Sequence, residues 1–93
     1  MMKLGKPTKN QIKIYCEEQT KTGLIEGDVV KVVRKAETYE KCWNNSWEPE
    51  MDASIGKKYS ILEITEDGIE LFDVGICEGI YFPYFVLEKV DGK

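Results

Sequence analysis

The sequence predicts a mostly-β, α+β domain: an N-terminal helix, then about five short strands with a long irregular loop after the first. Three observations predict it. A capping box at Thr8 to Gln11 precedes a run of helical periodicity. β-Branched and aromatic runs recur over 29–34, 58–65, 69–73 and 80–82, broken by glycine, proline and aspartate turn signals. With 93 residues, of which 42% are hydrophobic, the chain has the size and composition of one globular domain, 1–93.

Residues 1–7 read as a loose leader ending at Pro7. In Thr8-Lys9-Asn10-Gln11 the Thr8 hydroxyl can accept from an early backbone N–H while the Gln11 side chain reaches back to the cap. The spacing predicts a helix over about 9–21, or 8–22 with its caps. Ile12, Tyr15, Cys16 and Gln19 share one face, and Gly23 is the stop. That stripe is narrow, so the helix is expected to pack by one edge on something larger.

Gly27-Asp28 opens a strand, Val29 to Arg34, with Val30 and Val32 on one face and Val29 and Val33 beside Lys31 on the other. One face is expected to meet the core and the other to be covered by the helix. Residues 35–56 show no clear period. Tyr39, Trp43, Trp47 and Met51 recur every four residues, a spacing that fits a short helix cut by Pro49. Such large apolar side chains argue for an ordered excursion with a helical turn or two.

A strand follows at Lys58–Thr65, then a hairpin turn at Glu66-Asp67-Gly68 and a return strand at Ile69–Asp73 with Ile69 and Leu71 inward. Val74 to Gly79 reads as a looser turn. Ile80-Tyr81-Phe82 is a short strand ended by Pro83, and Tyr84 to Val90 is expected to hold a tight turn and then a last strand carrying Val86 or Leu87. The rings of Tyr81, Phe82, Tyr84 and Phe85 cannot all face inward from an extended segment. This order describes a small SH3-like barrel over 27–90.

The chain carries 13 basic and 17 acidic residues, a net charge of −4, and its one arginine is Arg34. That balance weakens the case for nucleic-acid binding, which depends on Lys and Arg neutralising phosphates. The basic N-terminal stretch Lys3, Lys6, Lys9 and Lys13 reads as a solvated tail and helix face. Histidine is absent from the sequence, which removes Ser-His and Cys-His catalysis in its usual form. Cys16, Cys42 and Cys77 are odd in number and widely spaced, so reduced thiols in a cytoplasmic protein are expected, with Cys16 in the core and Cys42 partly exposed. Glu48, Glu50 and Asp52 read as a solvated acidic loop, and neither a metal nor a cofactor is expected.

Particular residues also carry a resemblance. The stretch Gly79 to Val86, with Phe82-Pro83 at its centre, is similar to the closing segment of SH3 domains. Gly27-Asp28-x-Val30-x-Val32 resembles the opening strand of SH3-like and KOW-type barrels. Asn45-Ser46-Trp47, Met51-Asp52, Gly56-Lys57 and Tyr81 to Glu88 together resemble small SH3-like proteins of bacteriophages and prophages. The resemblance implies a fold and a genomic origin, and no activity. Pro83 matches the groove proline of peptide-binding SH3 domains, but where those carry a tyrosine three residues later this chain has Val86.

The expected function is a non-enzymatic protein-binding module. Its binding residues are expected to be Tyr39, Trp43, Trp47, Met51, Tyr81, Pro83 and Tyr84, with at least one tryptophan serving instead to cap the core. An acidic surface would suit a basic partner. Two alternatives stand beside it. One is single-stranded nucleic-acid binding along Lys31, Arg34, Lys35, Lys57 and Lys58. The other is self-association through exposed aromatics.

Overall fold

The computed structural model describes residues 5–72 and 80–90. Helix α1 runs Lys9–Lys21. Its capping box is complete: the Gln11 amide donates to Thr8 Oγ1 at 3.2 Å, and the Thr8 amide donates to Gln11 Oε1 at 2.9 Å. Tyr15 and Gln19 form its buried edge, with Ile12 and Cys16 half-buried beside them. Spaced four apart, both side chains leave the helix in the same direction.

Among the described residues five strands form one antiparallel sheet: β1 (Val29–Val32), β2 (Lys58–Thr65), β3 (Gly68–Leu71), β4 (Tyr81–Phe82) and β5 (Leu87–Lys89), in the order β4-β3-β2-β1-β5. β4 and β5 are its edges, so the sheet is open in its hydrogen bonding. Strand β1 stops at Val32 rather than Arg34, though the Val33 amide still reaches the Val86 carbonyl at 2.8 Å. Val86 itself belongs to a 3-10 turn, Tyr84–Val86, and the last strand begins at Leu87. The expected turn at 74–79, Cys77, Asp73 and the first residues of the leader lie outside the described residues.

Alternation sets the two faces. Val30, Val32, Ile61, Ile69, Leu71 and Phe82 point into the core. On β1 the opposite side chains, Val29 and Val33, are exposed. The expectation that α1 covers this outer face is therefore corrected. The helix is held elsewhere, by Gln19 Nε2 donating to the Thr65 carbonyl at 2.9 Å and by the Tyr84 amide donating to Tyr15 Oη at 3.3 Å. Those bonds tie it to the β2–β3 turn and to the turn between β4 and β5.

The long β1–β2 connection is ordered and supplies much of the core. It contains two 3-10 segments, Glu40–Cys42 and Pro49–Ser54. The four-residue spacing does not make one helix. Tyr39, Lys41 and Cys42 sit at φ 63, 50 and 69°, and Pro49 opens the second segment instead of cutting a helix. Trp43, Trp47 and Met51 are nevertheless all buried, because each turn of the connection folds back over the sheet. Trp43 Nε1 donates to the Asp67 carbonyl at 2.7 Å, and Trp47 Nε1 donates to Asp52 Oδ1 at 2.7 Å. Trp47 and Phe82 meet edge to face at 5.7 Å. At roughly 25 cal/mol per Å2, enclosing a tryptophan contributes up to roughly 4–6 kcal/mol, a large share of a small domain's stability.

Gly68 makes the close approach between connection and hairpin possible. Its φ is +131°, and a Cβ there would stand 2.9 Å from the Phe82 carbonyl oxygen and 3.0 Å from Trp43 Nε1.

Candidate functional site

A surface of half-exposed aromatic rings with cations beside them is assembled by the β4–β5 turn, the first 3-10 segment and α1. Pro83 ends β4, since it has no N–H to continue the ladder, and it stands extended at φ −74° and ψ 149°. The next three residues coil as a 3-10 turn, whose side chains splay about 120° apart. Val86 therefore enters the core, while Tyr84 and Phe85 are left half-exposed.

Tyr84 leans on Tyr15, their ring centroids 5.2 Å apart at 46°, and meets Phe85 edge to face at 5.3 Å. Phe85 has two cations near its ring: the Arg34 guanidinium carbon at 5.2 Å from the centroid and Lys41 Nζ at 5.4 Å. Both distances fall within cation–π range. Arg34 is further fixed by Glu40, with Nη2 to Oε2 at 2.9 Å, and by the Lys35 carbonyl at 2.9 Å. The Glu37 amide donates to Glu40 Oε1 at 2.9 Å.

The electrostatics follow from this packing. Partial burial pushes the Glu40 carboxyl up, but the Arg34 hydrogen bond, the Glu37 amide and the charges of Arg34 and Lys41 outweigh it and hold the carboxyl below its ordinary value. Burial pushes the Tyr84 phenol up, with the Glu18 carboxylate adding to the effect. Burial pushes Tyr15 up further still, well beyond the ordinary phenol. Each phenol thus stays a neutral hydrogen-bonding group.

The backbone beneath this surface is strained. The left-handed conformations of Tyr39, Lys41 and Cys42 each cost roughly 1–3 kcal/mol. They persist because Trp43, the next residue, is anchored in the core and its amide closes the turn on the Glu40 carbonyl at 2.9 Å. Tyr39 lines a polar cleft of about 230 Å3 with Lys6, Asn44, Asn45 and Ser46.

The sequence-predicted binding residues do not form one site. Trp43, Trp47, Met51 and Pro83 are enclosed, so their apolar area is spent inside the fold. Tyr39 is half-buried at the polar cleft, and Tyr81 is half-buried beside Glu70, its cross-strand neighbour. Only Tyr84 belongs to the aromatic and cationic surface. Sequence reasoning missed Phe85 as the partner of Tyr84 and Lys41 as a cation beside the Phe85 ring. Their one signal was Phe85 standing just past the strand-ending proline. Of the expected basic track, Arg34 is paired with Glu40, while Lys31 lies between Lys58 and Glu88 on the sheet.

Asp52 and Glu48 of the acidic loop serve local structure, accepting from Trp47 Nε1 and from Ser46 Oγ at 2.6 Å. Among the described residues, no group of three or more histidine, cysteine, aspartate or glutamate side chains is placed to hold a metal ion. No helix among them is long and apolar enough to cross a membrane. Compared with protein families, curated proteins and solved structures, the chain matches none.

Proposed function

We propose that this chain is a non-enzymatic protein-binding module, built as an SH3-like barrel, of phage or prophage type and acting in the cytoplasm. The barrel reading is supported by the strand order β4-β3-β2-β1-β5, the long β1–β2 connection and the 3-10 turn between β4 and β5. The phage and cytoplasmic parts rest on the sequence resemblance and on the odd cysteine count.

The observation that carries the binding reading is the Tyr84–Phe85 pair, half-exposed on the 3-10 turn after Pro83 with Arg34 and Lys41 beside the Phe85 ring. Aromatic rings and arginine dominate the energetics of protein interfaces, because they bring large area at low entropic cost. The fitting partner presents an apolar side chain next to a carboxylate, the first for the rings and the second for Lys41. Affinity capture from host lysate with the wild-type chain, Phe85→Ala and Lys41→Glu tests this. The wild type should retain a partner that both variants lose, with circular dichroism and urea midpoint little changed. Equal capture by all three would refute it.

A second reading keeps the same residues. A ring bordered by cations also suits single-stranded nucleic acid, whose bases stack while phosphates meet Lys and Arg. A salt titration of oligonucleotide binding separates the two. No binding at low salt removes this reading.

A further inference from the structure

The face of the sheet that points away from the core carries two like-charged cross-strand pairs. At one end Lys31 of β1 stands directly opposite Lys58 of β2. At the other end, past a register shift between Ile61 and Glu63 that returns Glu63 to this face, Glu63 of β2 stands opposite Glu70 of β3. Like charges in directly opposed positions are unfavourable within a sheet, so neither pair serves the fold of a single copy. Tyr81 of β4 is opposite Glu70, and its phenol is pushed up by partial burial and then by Glu70 and Glu63, which marks the acidic end as a local concentration of charge. Glu88 of β5 borders Lys31 and moderates the basic end without cancelling it.

An apolar band separates the two ends. Val29 is opposite Ser60, and the Phe72 amide donates to the Ser60 carbonyl at 2.9 Å, so these residues form a row across β1, β2 and the end of β3. Val29, Leu62 and Phe72 are 37, 47 and 59% exposed. A depression of about 330 Å3 lies here, lined by Val29, Lys58, Tyr59, Ser60 and Phe72.

We propose that this face is self-complementary and that its partner is a second copy of this chain, docked about a two-fold axis through the apolar band. A two-fold rotation turns the face end for end. The basic pair of each copy then meets the acidic pair of the other, and the contact is made twice. The parallel arrangement would bring like charges together, so complementarity also fixes the orientation. The two pairs lie at most about 16 Å apart along β2, which the register shift between Ile61 and Glu63 bends, and the sheet is about 20 Å wide. Such a patch is well below the roughly 800 Å2 per partner of a standard interface, so the association is weak and sensitive to concentration. It is independent of the Tyr84–Phe85 surface.

The test is sedimentation of the full chain from micromolar to millimolar concentration, at low and at molar salt. A reversible monomer–dimer equilibrium that weakens with salt is expected. Lys58→Glu alone and Glu70→Lys alone should each weaken the dimer by about tenfold or more. An equimolar mixture of the two variants should restore association, because each end of the hybrid then pairs opposite charges. A chain that stays monomeric throughout, a dimer indifferent to both reversals, or a mixture that fails to recover would each overturn the proposal. If circular dichroism shows that either variant is unfolded, Lys31→Glu with Glu63→Lys makes the same test on the neighbouring positions.

Discussion

The hydroxyl of Tyr15, on α1, accepts a hydrogen bond from the backbone amide of Tyr84, 69 residues further along the chain, and donates its own proton to Gln19 Oε1 at 2.7 Å. Through Gln19 the same chain of bonds reaches the Thr65 carbonyl. A helix with a narrow apolar edge is thereby fastened to two turns of the sheet by a short polar relay. Tyr15→Phe keeps the ring and removes the relay's centre, leaving the buried Gln19 oxygen without its donor. A loss of about 1–2 kcal/mol in urea denaturation is expected.

The same residue gives a dependence on alkaline pH. The folded state holds the Tyr15 phenol neutral far above its ordinary range, chiefly through burial. Below about pH 10 the phenol is protonated in both folded and unfolded chains, and its contribution is fully present. Above that the unfolded chain ionises while the folded one resists, so stability falls as pH rises. Tyr15→Phe should flatten this decline, leaving a remainder from Tyr84 and Tyr81, whose phenols are also raised. Parallel decline in wild type and variant between neutral and alkaline pH would show that the phenol is not shielded.

Gly68 and Gly23 should respond differently to alanine. Both have positive φ, +131° and +77°, but a Cβ at Gly23 meets open space while one at Gly68 collides with the Phe82 carbonyl and the Trp43 indole. Gly23→Ala should cost about 1 kcal/mol, from backbone strain alone. Gly68→Ala adds overpacking and should cost about 2–4 kcal/mol. Thermal melts of the pair decide the matter: similar melting temperatures would mean that the hairpin can withdraw from Trp43.

The tryptophans and Phe85 should separate stability from binding. Trp43→Ala leaves a cavity and strips the Asp67 carbonyl of its short indole bond, leaving it the 3.5 Å contact from Asn45 Nδ2, and should cost about 3–5 kcal/mol. Phe85→Ala removes a half-exposed ring and should cost about 1 kcal/mol or less. Both indoles are buried, so tryptophan emission should be blue-shifted and weakly quenched by acrylamide. Strong quenching in the folded chain would place an indole at the surface.

Glu40 gives the acid limb. Its folded carboxyl is held below the unfolded value by Arg34 and the Glu37 amide, against the upward push of burial. Its contribution is therefore present above the unfolded value, about pH 4.3, and is lost as pH falls through the folded one. With Arg34 44% exposed, solvent screening limits the effect to about 1 kcal/mol or less. Glu40→Gln should be less stable than wild type at neutral pH, and the difference should close in acid. A constant difference would assign the loss to packing.

Much of the architecture was legible because it is encoded within a few adjacent residues. The capping box needs only Thr8 and Gln11, and the helix begins where they place it. β2 coincides with the run Lys58–Thr65, and Gly68 marks the hairpin that returns Ile69 and Leu71 to the core. The strand ends were less legible. β1 stops at Val32 rather than Arg34, and of the two residues expected in the last strand, Val86 or Leu87, it is Leu87 that begins it, because the turn after Pro83 takes up Val86.

Residue chemistry determined that this chain would alternate apolar and polar positions over short strands, with one capped helix and an aromatic surplus in the connection. Only the tertiary structure decided where that surplus goes. A tryptophan is equally suited to closing a small core and to gripping a partner, and nothing local distinguishes the two. Trp43 and Trp47 went inward because the connection folds back over the sheet, where the Asp67 carbonyl of the hairpin and Asp52 of the connection itself satisfy their indole N–H groups. Phe85 stayed at the surface because the turn after Pro83 has room in the core for Val86 alone.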